Sequence, residues 1–391
     1  MKKVIFGTAV ASMALLSACS SDNELANVGT SANNAIGFHV VGNKAETRAN
    51  IINSSEDLKK TDFNVYAYIN NADPNNTDGA PFMGGNDTEH GTNGINISHN
   101  GKDWVYTKAE DVRYWPTTAL NFYAVSPAST GMFSWQFSNT KKEIIYTCHD
   151  EYQTKNFFVD DDGKKKQHLT NPDAMYAVAK GQTYIKENSG KVKFTFKHIL
   201  SQVVFKAKTQ YDNDMEIDVN AVSIYNFKEG GTFNIPEGEP EQVNWTPRFI
   251  DLAPVDGFTV KKVEEGKNIK VTKSNEVKDI SDGPMLFVPQ KLTKWNVSNT
   301  ITAANTAKQS YLKITCKIKQ GGAYLFGSDT EYKDLYVPFE ADWQPGKRYI
   351  YTLIFGGGYD ENGNKILMPI NYEADVDTWD GEKTINSNID M

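Results

Sequence analysis

The chain has 391 residues, 39% of them hydrophobic and 12% aromatic, which is enough to bury a sizeable core and long enough for two domains. Its formal net charge is −8, from 41 basic and 49 acidic side chains, and no basic block stands out, which argues against nucleic acid as the main partner. Thr, Val, Ile, Tyr and Phe recur in short alternating runs separated by Asn and Gly, an all-β signature that excludes global disorder.

At the N-terminus Lys2 and Lys3 precede an apolar run, Val4 to Leu16, too short to span a bilayer as a mature anchor, so residues 1–18 read as a signal peptide. Leu16-Ser17-Ala18-Cys19 sets small residues before a cysteine, as a bacterial lipobox does. Cleavage before Cys19 and acylation of its thiol are expected, and several acyl chains together anchor stably. The plainer reading is a simple signal peptide with an incidental cysteine. Residues 20–34 are small and polar, a tether. Then Ile36, Phe38 and Val40 alternate with Gly37, His39 and Val41, the period of a strand with one buried face. A polar stretch and a lone Arg48 follow. Spacing alone favours an ordinary first strand and a loop; it also fits a strand removable by one cut between Arg48 and Ala49.

Further along, Phe63, Val65, Ala67 and Ile69 share a strand face. Residues 70–101, rich in Asn, Gly and Asp, read as long surface loops with at most one short strand. Strands are expected near Trp104–Tyr106, Ala119–Ser126, Ile144–Cys148 and Ala174–Lys180. Phe194 and Phe196 share a face, and Val203, Phe205 and Ala207 form the next series; the face changes between His198 and Ser201. Such a change marks a bulge or a passage between domains, which sets the expected bodies at 49–195 and 196–391. Strand patterns then recur at Ala221–Phe227, Phe258–Val263, Ile269–Thr272, Met285–Val288, Tyr311–Ile318, Leu335–Phe339 and Tyr349–Phe355. Short strands with turn signals between them, and no long amphipathic helix, predict β-sandwiches. After Gly356-Gly357-Gly358 and the Asn362-Gly363 turn, Ile370, Tyr372, Ala374 and Val376 alternate with Asn371, Glu373, Asp375 and Asp377. This run is either a closing hairpin or a strand able to leave its own sheet and complete another.

Chemistry is harder to find. Cys316 falls on the apolar face of its strand and Cys148 sits in a similar run, so both read as buried small hydrophobes rather than as a disulfide. The six histidines show no paired metal-ligand spacing, and His198 reads as a satisfied histidine at a bulge. Asp160-Asp161-Asp162-Gly163 before three lysines reads as a solvated turn. Asp360, Asn362 and Asn364 imitate the start of a calcium loop but lack its acidic last ligand, which leaves a hairpin turn. No glycine run makes a phosphate loop, and no nucleophile stands with a base. No catalytic residue, metal or cofactor is expected.

Several pieces taken in order resemble the fimbrillin family, the pilus subunits of Bacteroides-like bacteria. They are the lipobox ending at Cys19, Glu46-Thr47-Arg48-Ala49, and Tyr114-Trp115-Pro116 leading into Leu120-Asn121-Phe122-Tyr123-Ala124. The likeness continues in Phe196-Lys197-His198-Ile199-Leu200-Ser201, in Gly283 to Gln290, in Trp343 to Tyr349 and in Val376-Asp377-Thr378-Trp379. The resemblance implies two transthyretin-like sandwich domains and a non-enzymatic subunit exported as an outer-membrane lipoprotein carrying acyl groups such as palmitate. Ser20 to Glu24 resembles the acidic tether that sends such lipoproteins to the cell surface. An arginine-specific protease then cuts after the arginine matched here by Arg48. The strand matched by Ile36, Phe38 and Val40 leaves, and other pilus subunits, alike or different, donate a strand to the groove. Ile370, Tyr372, Ala374 and Val376 are the candidate donor. The polymer supports adhesion and biofilm formation toward a host or bacterial surface ligand that the sequence does not name. The competing reading is a surface glycan-binding lipoprotein that stacks sugars on Trp104, Trp135 and Trp245, although tryptophans in such places are more often core or loop anchors.

Overall fold

The computed structural model describes residues 34–41, 55–85, 93–128, 135–138, 140–148, 157–159, 165–167, 171–210, 215–250, 257–263, 267–281, 283–367, 371–378 and 385–386. Successive side chains of a strand point to opposite faces, and in the first half of the chain both faces are used. The strands are Gly37–Val41 (β1), Phe63–Asn70 (β2), Ile95–His99 (β3), Trp104–Tyr106 (β4), Leu120–Ser126 (β5), Met175–Gln182 (β6) and Lys191–Thr195 (β7). They belong to one nine-stranded sheet ordered β7–β1–β4–β3–β2–β5–β6 and then Lys197–His198, with Asp78–Met83 pairing β2 off this path. Phe63, Val65 and Ala67 of β2, Ile95 and Ile97 of β3, Phe122 of β5 and Phe194 of β7 are buried together. Strands from opposite parts of the sheet order therefore meet in one core, and the sheet curls around it.

The other face of the same strands is buried too. Tyr66 and Tyr68 of β2 and Tyr123 and Val125 of β5 join a second, larger core. There Tyr66 meets Phe137 at 4.7 Å and Tyr176 meets Phe233 at 5.5 Å between ring centroids. Phe137 and Phe233 lie on a four-stranded sheet ordered Trp245–Arg248, Gly230–Asn234, Glu143–Thr147, Trp135–Ser138. Two of its strands precede residue 196 and two follow it, so chain from both halves is woven into one layer.

The second half supplies Ser201–Thr209 (β8), Met215–Tyr225 (β9), Tyr311–Gln320 (β10), Lys333–Pro338 (β11), Lys347–Phe355 (β12) and Asn371–Thr378 (β13). One sheet runs Lys278–Asp279, β8, β12, β13, Ile385–Asn386; the other runs Phe258–Lys262, β9, β10, β11, Gly357–Tyr359, Lys365–Leu367. Strands β8 and β12 pair in parallel from Gln202 with Arg348 to Thr209 with Phe355. Val203, Phe205, Tyr351 and Leu353 of the first sheet and Val219, Ile224, Ile314 and Cys316 of the second fill the core between them, a β-sandwich. The fold is all-β, as the sequence pattern predicts.

Some local expectations change. Residues 70–101 hold two strands, Asp78–Met83 and β3, where long loops with at most one short strand were expected. Pairing with β2 supplies their stability, and tertiary pairing overrides a composition poor in strand formers. After the Asn362-Gly363 turn the chain forms two separate strands, Lys365–Leu367 and β13, in different sheets. The change of face near His198 separates Lys197–His198, in the first sheet, from β8 in another. His198 is buried with its Nδ1 3.0 Å from the buried Asp173 Oδ1, a satisfied histidine. Asp360 Oδ1 accepts from the backbone N–H of Asn362 and Asn364 and closes the hairpin turn between Gly357–Tyr359 and Lys365–Leu367.

Cys148 and Cys316 are free and buried. Burial pushes the Cys148 thiol up to about 12 from its ordinary 9.0 and raises that of Cys316 as well. Burial likewise pushes the phenols of Tyr66, Tyr349 and Tyr372 up to about 12 from 10.0. In the unfolded chain these groups ionise first, so above their ordinary values the unfolded state binds fewer protons than the folded one. Stability is therefore complete below about pH 9 and falls as pH rises toward 12. Urea midpoints of the full chain measured from pH 7 to pH 11 should stay level to about pH 9 and then decline; a midpoint that rises contradicts this.

Candidate functional site: the slot of the first strand

Strand β1 lies inside the sheet, not at its edge. It pairs in parallel with β7 over five residues, from Gly37 with Lys191 to Val41 with Thr195. On its other side Phe38 pairs antiparallel with Trp104 of β4, and upstream Ala35 bridges to Tyr114. Three further bonds hold the approach. Ile36 N–H donates to Arg113 O at 2.8 Å, Trp115 N–H to Asn34 O at 2.9 Å, and the Tyr106 hydroxyl to Ile36 O at 2.9 Å. Gly37 N–H reaches Gly190 O at 3.3 Å.

The side chains alternate as the sequence predicts. Ile36 and Phe38 are 1% and 3% exposed, Val40 packs against the same core, and His39 faces solvent. The Phe38 ring stacks on Phe194 at 5.9 Å, meets Phe63 edge-on at 6.2 Å and lies 5.7 Å from Tyr106. Burying three such side chains is worth roughly 5–9 kcal/mol. That is comparable with the whole net stability of a typical domain, about 5–15 kcal/mol. The slot without its strand would expose an apolar trough flanked by unpaired backbone groups of β7 and β4.

The support for the slot is what sequence reasoning missed. Trp115 donates its indole N–H to Gly190 O at 2.8 Å and sets its ring edge against Phe122 at 5.7 Å. The sequence marks Tyr114-Trp115-Pro116 as a lead into a strand. Its second task, clamping residues 34–36, leaves no local signal because the contact spans most of a hundred residues.

Cys19, Arg48, Ala49 and Ile370 lie outside the described residues. Tyr372, Ala374 and Val376 stand on β13, which pairs antiparallel with β12 from Lys347 with Thr378 to Ile354 with Asn371. Ala374 is buried, Tyr372 and Val376 pack against the sandwich core, and Glu373 and Asp375 face solvent. The Tyr372 hydroxyl accepts from Glu340 N–H at 3.2 Å and donates to Glu340 O at 3.3 Å. The structure thus places β1 and β13 in different sheets and does not bring them together.

The aromatic residues suggested for sugar stacking fare differently. Trp245 is 5% exposed and its indole N–H donates to Ile199 O at 2.7 Å, so it is a core anchor, not a platform. Trp104 is half-buried against Phe63 at 5.0 Å. The side chain of Trp135 lies outside the described residues. A cavity of about 220 Å³ is lined by Tyr225, Phe227, Glu229, Phe249, Phe258 and Lys308 among others, and the Glu229 carboxylate there accepts from Ile250 N–H. Among the described residues no group of His, Cys, Asp and Glu could hold a metal ion, and no helix is long and apolar enough to cross a membrane.

The burial of β1 is directly measurable. Phe38→Ala in the uncleaved chain should lower unfolding stability by about 3–5 kcal/mol. His39→Ala, on the solvent face, should stay within about 0.5 kcal/mol. Equal effects of the two in urea titrations contradict the placement.

A sequence model of the fimbrillin-like family matches residues 47–379. The structure is similar to that of a fimbrial protein from Bacteroides vulgatus, at 15% identity and a TM-score of 0.54, over 88% of this chain and 99% of that one. It is also similar to the C-terminally truncated tip fimbrial protein Mfa3 of Porphyromonas gingivalis, at 11% identity and a TM-score of 0.35, over 82% of this chain and 94% of the other. No curated protein sequence matches it. The likeness to the Bacteroides vulgatus protein is one of fold, whereas the family match covers most of the chain. It begins at residue 47, so β1 is built into the sheet yet precedes the matched region. The chain belongs to the fimbrillin-like family and is a structural, non-enzymatic component of cell-surface fimbriae.

Proposed function

We propose that the protein is a pilus subunit exported as an outer-membrane lipoprotein acylated at Cys19. An arginine-specific protease cuts it between Arg48 and Ala49, and it then polymerises by strand replacement. The observation that carries this reading is the position of β1. It is an interior strand whose apolar residues complete a core, and the chain from which it leads onward passes Arg48 before reaching the rest of the fold. A cut there leaves β1 held by non-covalent contacts alone. Once it departs with the lipid, another subunit's strand gains backbone pairing and side-chain burial in one step. The family match that starts at residue 47 supports the same division.

The run Ile370, Tyr372, Ala374, Val376 suits the slot by spacing. Laid in the direction of β1, Ile370 takes the place of Ile36, Tyr372 that of Phe38 and Ala374 that of Val40. Asn371 then falls at Gly37, where a Cβ would stand 2.9 Å from Lys191 Cγ, so the flexible lysine side chain has to swing aside. A subunit with such a donor belongs in a shaft, and the assembled fimbria supports adhesion and biofilm formation. The partners are other pilus subunits, the processing protease and, before cleavage, the outer membrane.

Limited digestion of the unlipidated protein with an arginine-specific protease, followed by chromatography and N-terminal sequencing, tests this. A new N-terminus at Ala49 with a ladder of oligomers is expected. Arg48→Ala should remain monomeric under the same protease, and its assembly contradicts the mechanism.

A further inference from the structure

Seven large apolar side chains are exposed among the described residues: Tyr114, Tyr184, Ile185, Val243, Phe249, Val277 and Leu325. Three of them gather where the chain enters the slot. Tyr114, 40% exposed, is bridged to Ala35 immediately before β1. Tyr184 and Ile185, 36% and 45% exposed, flank Gly190, whose carbonyl accepts from Gly37 N–H. Ile185 O accepts from Gly190 N–H, and Gly190 lies close enough to Tyr184 that a Cβ there would stand 3.0 Å from its ring. The indole of Trp115 lies against the same glycine and ties the two edges of the patch together. Apolar groups collected at one point of a surface mark a contact, whereas scattered ones mark nothing.

The direction of β1 says what covers the patch. Parallel and antiparallel ladders space and slant their hydrogen bonds differently. A strand that reuses the bonds offered by β7 and β4 therefore runs as β1 does, from the Ala35 end toward Val41. The sheets of a donor described within residues 55–367 all precede its residues 370–376, so this body arrives at the end where the strand begins. That end carries Tyr114, Tyr184 and Ile185. We infer that these three side chains form the contact surface for the body of the next subunit, a second copy of this chain whose strand fills the slot. The inference rests on the strand replacement proposed above. It adds that a subunit is held at two places, the slot for its strand and the mouth of the slot for its body.

The test separates the two. Full-length wild-type protein and the variants Ile185→Ser and Tyr184→Ser/Ile185→Ser are cut at Arg48. Assembly is followed by sedimentation, and binding of a synthetic peptide of residues 368–378, which has no body, by fluorescence anisotropy. The double variant should need about tenfold more protein for half-assembly while binding the peptide as wild type does. The single Ile185→Ser variant, whose side chain is the more exposed, should lie between and guards against a folding defect. Variants that assemble as wild type, or that lose peptide binding in step with assembly, overturn the contact surface. Wild-type protein that is cut at Arg48 but takes up no peptide and forms no oligomer overturns strand replacement itself, and the contact with it.

Discussion

The whole arrangement depends on Phe38. Its ring is packed among Phe63, Tyr106 and Phe194, from three different strands, and so closes the first core along the line where β7 and β4 would otherwise face each other across a gap. A strand in that position is held on both sides, by five paired residues on β7 and by one on β4, and by the burial of Ile36 and Phe38. Stability and removability are usually opposed. On the proposed reading they are reconciled by the cut at Arg48, which lies in the sequence between this strand and β2.

The rest of the fold backs the slot from the far side of the same strands. Strands β2 and β5 bury side chains on both faces: Val65 and Phe122 toward the first core, Tyr66 and Tyr123 toward the second. The trough beneath β1 is therefore backed by a layer that is itself packed against the four-stranded sheet shared by both halves of the chain. Removing β1 strips one wall from one core and leaves the second core untouched. At the other end, β13 closes its sheet through backbone pairs with β12 and the Tyr372–Glu340 bonds. In its sheet β13 has β12 on one side and, among the described residues, only the two-residue Ile385–Asn386 strand on the other.

Much of this was legible in the sequence, and the reasons are local. The alternation of Ile36, Phe38 and Val40, of Phe63, Val65 and Ala67, and of Val203, Phe205 and Ala207 follows from the period of a strand and needs no neighbour to interpret. The order in which strands pair was not legible, because nothing in residues 34–41 announces a parallel partner at Lys191–Thr195. Composition misled at residues 70–101, where Asn and Gly surround strands that owe their existence to β2. Of the two readings open for Trp245, sugar platform or core anchor, the structure shows the second, its indole donating into the core. The clamp made by Trp115 and Gly190 was invisible for the same reason as the strand order.

The most direct measurement is of register. If residues 370–376 of one subunit take the place of β1 in another, Glu373 occupies the position of His39, which pairs with Lys193 of β7. Lys193 and Glu373 both face solvent, so Lys193→Cys/Glu373→Cys can be made without disturbing either core. Paired residues on neighbouring strands lie within the Cα separation a disulfide requires, about 4.4–6.8 Å. After cleavage at Arg48 and mild oxidation, the account predicts a covalent ladder of subunits on a non-reducing gel, absent from the uncleaved protein. Oligomers that assemble yet show no such cross-link would contradict the claim that this strand fills this slot.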